Sequence, residues 1–306
     1  MIDNPSAIPG LTLKHQGKSR DTFRLKRGSG TILPYATNRI STHNHVHLTE
    51  IPRKGECLTI LVIFFMKKLE EEYDIPTHLV AYGKGIIGHL PKGFPVTDDL
   101  LKRSFVARML DMIGYEFIGR DFFCGSLYDK YYSKGSENPY GLILPEGLQF
   151  MSPLCPTAFT PTLKNENDDP ASSESVIRQE PEAYNLFSRV YDVLKEYLFD
   201  CGYTLVDMKG ELGRDQASGI VRIGDEIGTL DCMRIVRNGG IIIGQEPTWQ
   251  DKQVVRDEVV SVCKARGVKP CSIDLSPETV CVSVRIPYDP KHMVAYYGIL
   301  FKREGY

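Results

Sequence analysis

YTLVDMKGELGRDQASGIVRIGDEIGTLDCMR, running from Tyr203 to Arg234, is the stretch from which the rest of the chain is read. Read with a period of two, it forms two strands. Leu205, Asp207, Lys209 and Glu211 fall on one face of the first, and Thr204, Val206 and Met208 on the other, because successive strand residues point to opposite sides. Gly213 to Gly219 is rich in Gly, Asp, Gln and Ser and predicts the turn. Ile220 to Ile227 predicts the return strand, with Val221, Ile223 and Asp225 on one face. A turn centred near Asp215 and Gln216 sets Asp225 roughly opposite Asp207. Facing acids repel unless a cation lies between or beside them, and Lys209 or a bound metal could supply it. A register slip of one residue dissolves that pairing. A solvated outer face of a hairpin produces the same alternation of charge.

The whole chain has 306 residues, a formal net charge of −2, 25% charged and 42% hydrophobic residues. That length allows a large core, with two domains or lobes expected. Nothing global in the charge points to nucleic acid or an anionic membrane as partner. The longest apolar run, Leu58 to Met66, is about half the ~18 residues needed to span a bilayer. The opening MIDNPSAIPG has neither the basic start nor the apolar centre of a signal peptide, so a cytoplasmic location is expected. Eight cysteines, at 57, 124, 155, 201, 232, 263, 271 and 281, form no CxxC pair. They are expected to be reduced, small and buried.

Outward from the central stretch, Thr12 to Gln16, Thr22 to Leu25 and Thr31 to Thr37 predict a small meander, with the basic turn GKSRD between the first two. Cys57 to Tyr73 predicts a helix with Leu58, Leu61, Phe65 and Leu69 in one stripe, and His78 to Tyr82 a strand. The two prolines between Pro91 and Asp99 suggest the lobe boundary. LLKRSFVARMLDMIGYEF fits helix and strand equally, with Phe105 to Arg108 opening the second lobe. Pro153 to Glu180 reads as a long loop. Pro181 to Leu198 is the clearest helix, with Pro181 in the first turn and Gly202 as its stop. Lys252 to Arg266 predicts a last amphipathic helix, and Val280 to Ile286 a late strand.

Three motifs have competing readings. Gly83-Lys-Gly85-Ile-Ile-Gly88 matches GxGxxG, but Pro91 follows where a dinucleotide fold needs a helix, so a turn is expected. Gly17-Lys18-Ser19 lacks the first glycine of a Walker A loop, which would fall at Thr12. A basic turn remains, either solvated or holding phosphate through Lys18, Arg20 and backbone N–H groups. His43, His45 and His47 alternate. Three imidazoles on one strand face could bind zinc, though such alternation also occurs on exposed strands. Arg39, Lys54, Arg108, Lys164, Lys209, Arg234, Lys252 and Arg256 are scattered basic residues. Gathered in one cleft, they would suit a polyanionic small substrate and nucleotide phosphates.

Nine segments in order resemble one family. They are GKSRD (17–21), NRIS (38–41), IPRKGECLT (51–59), VAR with CGSLYDKY (106–108 and 124–131), LPEGL (144–148), FTPTLK (159–164), LVDMKGELG (205–213), GDEIGTLDCMR (224–234) and DKQVVRD (251–257). Together they resemble the SAICAR synthetases, phosphoribosylaminoimidazole-succinocarboxamide synthases of purine biosynthesis. The resemblance implies an α+β fold of two lobes. A kinase-like, β-rich nucleotide-binding lobe (1–95) packs on an ATP-grasp-like α+β lobe (96–306) carrying the metal and substrate residues, with ATP in the cleft. It implies a carbon–nitrogen ligase that uses ATP and Mg²⁺ to join L-aspartate to the carboxylate of carboxyaminoimidazole ribonucleotide (CAIR). A homo-oligomer is left open.

By position, the resemblance gives Lys18 and Arg20 to the nucleotide phosphates, and Glu211 and Asp225 to Mg²⁺. Asp207 and Lys209 would orient the imidazole and its carboxylate. Arg108, Ser126 and Arg234 would grip the ribotide phosphate. Arg39, Ser41 and Asp231 would line the substrate side, and Lys252 would close the rear. The family pattern has Asp where Asn38 stands, Pro at Leu230, Ser-Ser at Cys232-Met233 and Trp-Lys at Tyr128-Asp129. The run after FTPTLK reads Asp168-Asp169-Pro170 in place of His-Asp-Glu. About a dozen extra residues, within the segment 109–123, separate Arg108 from Gly125-Ser126. These departures fall mostly on the acceptor side. They leave room for a divergent paralogue forming another amide, or for a nucleotide-binding protein without catalysis.

Overall fold

A computed structural model describes residues 8, 10–25, 28–133 and 138–267; the late strand expected at Val280 to Ile286, and Cys271 and Cys281, lie outside them. The chain divides into two compact units. Of the described residues, one draws on those within 8–67, 78–109 and 251–267, the other on those within 68–77 and 110–250. Among the described residues no helix is long and apolar enough to cross a membrane.

The first unit is built on the predicted meander, β1 (Thr12–Gln16), β2 (Arg20–Arg24) and β3 (Thr31–Ala36). Next come the hairpin strands β4 (Arg39–Thr42) and β5 (His45–Glu50), which among the described residues pair with each other as a separate two-stranded sheet, and then helix α1 (Lys54–Tyr73). β6 (Leu79–Tyr82) leads into a 3₁₀ helix, Gly83–His89, so the GxGxxG match starts no α-helix. After α2 (Asp98–Arg103), β7 (Phe105–Arg108) enters the sheet between β3 and β6, giving the order β1-β2-β3-β7-β6. Phe23, Leu33, Tyr35, Ile86, Leu100 and Val106 form the core under it.

The second unit holds the decisive stretch. β8 (Leu110–Phe122) and α3 (Gly125–Ser133) are followed by β9 (Pro153–Phe159), β10 (Thr162–Leu163), α4 (Ser173–Gln179) and α5 (Pro181–Asp200). Then come β11 (Tyr203–Asp215), β12 (Val221–Gly224) and β13 (Met233–Arg237), while α6 (Gln253–Arg266) belongs to the first unit. The run expected to be one long loop, Pro153 to Glu180, therefore contains two strands and a helix. Residues 109–123, which read as an insertion, are mostly β8, the antiparallel partner of β11 along most of its length.

The hairpin register also differs from expectation. The Asp215 carboxylate accepts the N–H groups of Ala217 and Ser218 at 2.9 and 3.3 Å and the Arg222 Nε at 3.0 Å. This side-chain anchor closes the turn beyond Asp215 and lengthens the first strand. Glu211 then pairs with Gly224, so Asp225 comes next to Glu211 and not opposite Asp207. Asp207 instead faces Arg120 on β8 and Arg234 on β13.

The far face of this sheet is apolar and carries α5. Phe187 and Tyr191, four residues apart on the buried stripe of α5, lie over Gly210 and Gly119. A Cβ on Gly119 would come within 2.6 Å of the Tyr191 ring, so only glycine lets the helix approach this closely. Phe117, Phe159 and Phe187 form a ring cluster there, with centroids 5.7 to 6.3 Å apart, each burial contributing about 1.5–3 kcal/mol. Gly119→Ala is expected to cost about 1–3 kcal/mol by forcing the Tyr191 ring off the sheet. Urea unfolding measures this, and an unchanged midpoint would contradict the packing.

Candidate functional site

The other face of the same sheet is charged. Register puts Asp207, Lys209 and Glu211 of β11 opposite Arg120, Ile118 and Glu116 of β8, so all six share one face. The expected common face of the two acids and the lysine is therefore present, and β8 adds Glu116 and Arg120, which the motif reading did not single out. Lys164, the residue after β10, adds a third cation.

The first cluster surrounds Asp207. Its carboxylate accepts from Arg120 Nη1 at 2.6 Å and from Arg234 Nε at 3.0 and 3.1 Å, with a further Arg234 Nη2 contact. Arg120 continues to the Ser126 Oγ at 3.0 Å and the Thr160 Oγ1 at 2.9 Å. One carboxylate between two guanidiniums leaves a net positive charge. It sits beside the Ser126 hydroxyl and the N-terminus of α3, where backbone N–H groups favour an anion. Gly125 has φ +56°, and a Cβ there would lie 2.9 Å from the Arg234 Cζ, so glycine both turns the chain and admits the guanidinium. The Arg234 guanidinium stacks 5.5 Å from the Trp249 ring, a cation–π contact. Buried Cys124 lies 3.9 Å from Asp207, and burial pushes its thiol up to about 11.

The arginine that reaches Ser126 is thus Arg120, six residues before it, and not Arg108. Arg108 ends β7 in the first unit, paired with Thr31. The signal was available: Glu116 and Arg120 are four apart in β8, which puts them on one face of a strand. Reading residues 109–123 as an insertion hid it.

The second cluster surrounds Lys209 and Glu211. The Lys209 ammonium donates to Glu116 Oε1 at 2.7 Å, and the Thr162 hydroxyl donates to Glu116 Oε2 at 3.0 Å. Lys164 pairs with Glu211. Burial works to lower the Lys209 pKa, but Glu116, with Glu211 and Glu226, overrides it and raises the value. For Glu211, burial first and the Asp225 charge second hold the carboxyl above its ordinary range, against Lys164 and Lys209. Asp225 adopts φ +49°, a left-handed conformation that Asp tolerates. Two adjacent acids under this repulsion form a donor set that a divalent cation would relieve. Among the described residues no group of three or more His, Cys, Asp or Glu side chains is placed to hold a metal.

In the first unit, Lys18 projects from the β1–β2 turn and donates to Asn44 Oδ1 at 2.6 Å. Arg20 is buried on β2, and Ser41 on β4. Arg39 holds the turn itself, donating to Asp21 Oδ2 at 3.2 Å and to the Gly17 carbonyl at 2.8 Å. Lys252 is buried at the start of α6. The three histidines do not share a strand face. His43 lies in the β4–β5 turn at φ +47°, while His45 and His47 stand on β5 with rings 5.0 Å apart. His47 is buried against the Thr42 hydroxyl at 2.8 Å.

The departures from the family pattern have local explanations. The Asn38 Oδ1 accepts the Gly55 N–H at 3.1 Å in the first turn of α1, a role open to Asp or Asn. Leu230, Cys232 and Met233 are buried, and Cys232 Sγ closes the turn with the Thr229 N–H at 3.3 Å. Tyr128 packs edge-on against Phe123 and Phe150. Asp231 donates its own N–H to the Thr229 Oγ1 at 3.3 Å. The 165–169 loop is tied by Asn165, whose Oδ1 accepts from Asn167 and Asp169. Of the six cysteines described, five are buried and Cys155 is exposed, contrary to expectation for that one.

Asp207→Asn removes the charge that holds two guanidiniums together. Loss of one partner from a buried ion pair costs about 3–5 kcal/mol, so the urea midpoint is expected to fall. Added inorganic phosphate is expected to recover part of the loss. An unchanged midpoint would show that the two arginines do not depend on Asp207.

Residues 13–269 match the family model described as SAICAR synthetase. The phosphoribosylaminoimidazole-succinocarboxamide synthase of Thermobifida fusca is 33% identical over 261 residues, which cover 83% of this chain and 80% of that protein. The Saccharomyces cerevisiae enzyme of the same name is 30% identical over 260 residues, 81% of this chain and 83% of its own. The structure of the SAICAR synthase from Saccharomyces cerevisiae complexed with SAICAR superposes with a TM-score of 0.80 at 26% identity, covering 97% of this chain and 98% of that one. With a family match over most of its length, a shared fold and the charged face of β11, the chain belongs to the SAICAR synthetase family.

Proposed function

We propose that this chain is an ATP-dependent ligase of purine biosynthesis that joins L-aspartate to the carboxylate of CAIR, releasing SAICAR, ADP and phosphate. The observation that supports it most is the shared face of Asp207, Lys209 and Glu211, with Asp225 beside Glu211, in a member of this family. The yeast relative of the same fold was solved with SAICAR bound.

The chemistry explains why such a face is needed. A carboxylate resists attack by an amine because its carbonyl carbon is electron-rich and its leaving group would be oxide. One carboxylate oxygen of CAIR attacks the γ-phosphorus of ATP, and the bond from that phosphorus to ADP breaks. The aspartate amine then attacks the carbonyl carbon of the acyl phosphate and loses a proton, and phosphate departs with the former carboxylate oxygen. Each step brings anions together, so fixed cations and positioning supply most of the acceleration.

In this reading Arg120, Ser126 and Arg234 hold the ribotide phosphate, with Arg120 in the place first given to Arg108. Asp207 holds the two guanidiniums beside each other and, with Lys209, orients the imidazole carboxylate. The Lys209 ammonium offsets charge as the phosphoryl group moves. Glu211 and Asp225 fit Mg²⁺, a cation bound through few protein carboxylates together with phosphate oxygens and water. When bound, it supplies charge neutralisation on the triphosphate. Lys18 and Arg20, in the β-rich part within residues 1–95, serve the nucleotide phosphates, with Lys252 behind them. Arg39, Ser41 and Asp231 line the substrate side, Arg39 by fixing the 17–21 turn. The remaining substrate and metal residues follow residue 96. A cytoplasmic setting, where these substrates are made, suits the activity.

Purified protein with Mg²⁺ is expected to release ADP only when CAIR and L-aspartate are both present. Glu211→Ala and Asp225→Ala are each expected to abolish that release while leaving the protein folded. No turnover by folded wild type with the full substrate set would reject the reading. Near-normal rates in either variant would reject the metal assignment.

A further inference from the structure

Glu116 has the features of a group that works through a neighbour. It lies directly opposite Glu211 across β8 and β11, on one face, and like charges so placed are ordinarily destabilising. The pair is tolerated because each acid has its own lysine, Lys209 for Glu116 and Lys164 for Glu211. The two lysines differ in what anchors them. Glu116 is only 8% exposed, and both its oxygens are engaged, one by Lys209 at 2.7 Å and one by the Thr162 hydroxyl at 3.0 Å. Its carboxylate is thus held at both oxygens, by side chains from β11 and β10. The Lys209 side chain remains 39% exposed. A lysine is a point charge on a four-carbon stem with much rotamer freedom. Without an anchor its ammonium would sample many positions, and charge stabilisation in a transition state requires one.

We propose that Glu116 is a positioning residue, which with Thr162 holds the Lys209 ammonium at the point where the carboxylate is activated. The proposal rests on the ligase reading above. It also explains why β8 places an acid opposite Glu211, where an apolar residue would avoid the repulsion. Its action goes through Lys209, so the loss of Glu116 affects the chemical step and not the capture of nucleotide.

The test is a double-mutant cycle on the full chain, read by ADP release with CAIR, L-aspartate and Mg·ATP, with thermal melts beside it. Glu116→Gln is expected to lower kcat about tenfold or more with the KM for ATP nearly unchanged. The Glu116→Gln/Lys209→Met double variant is expected to be no slower than Lys209→Met alone. Glu116→Asp, which keeps the charge, is expected to recover part of the loss. Thr162→Val leaves the acid in place and loosens it, so a smaller fall in kcat is expected from it, and this variant decides the matter should Glu116→Gln fail to fold. A kcat near wild type in the folded Glu116→Gln or Thr162→Val variant, or losses that multiply in the double variant, would overturn the proposal. A wild type that turns nothing over would instead reject the ligase reading.

Discussion

The sheet of the second unit must satisfy opposite demands on its two faces. One face of β11 and β8 lies under the aromatic stripe of α5, where glycines at 119 and 210 let Phe187 and Tyr191 come down onto the backbone. The other holds two acids and a lysine on β11 and an acid and an arginine on β8, most of them buried. A buried charge is tolerable only when a partner is fixed at hydrogen-bond distance. Each strand therefore supplies the counter-charges of the next, and a one-residue slip would turn these charges into the aromatic core. The apolar packing fixes the register, and the register fixes which charge meets which.

Much of this fold was legible in the chain. The period-two pattern of Tyr203 to Glu211 and the capped, amphipathic pattern of Pro181 to Leu198 predict the strand and the helix that pack together. The meander of the first unit falls within a residue or two of its predicted limits. Where the reading failed, local pattern was outweighed by non-local pairing. β8 is buried on both sides over part of its length, so its residues do not alternate cleanly, and Leu100 to Phe117, which runs into it, fitted helix and strand equally. The turn after β11 was displaced because Asp215 uses its side chain to bind the turn, which composition alone does not reveal.

The site was legible in the same uneven way. Asp207, Lys209 and Glu211 share a face because spacing requires it. Asp225 comes to Glu211 only through the true register. Arg120 was masked by Arg108, which stands in a similar local context twelve residues earlier. Distance along the chain could not show that residues 109–123 are a central strand and not an addition. The departures at Asn38, Leu230, Cys232 and Met233 seemed to concern substrate. Their side chains instead cap a helix or fill buried positions, so they do not argue for a different acceptor.

If this charged face makes a carboxylate reactive by phosphorylating it, an oxygen of that carboxylate must leave with the phosphate. Isotope transfer tests that most directly. CAIR labelled with ¹⁸O in its carboxylate is incubated with the protein, Mg·ATP and L-aspartate, and the released inorganic phosphate is analysed by mass. Each phosphate is expected to carry one oxygen from the labelled carboxylate. Turnover that yields unlabelled phosphate would contradict it, because the carboxylate would then have been joined to the amine without becoming an acyl phosphate.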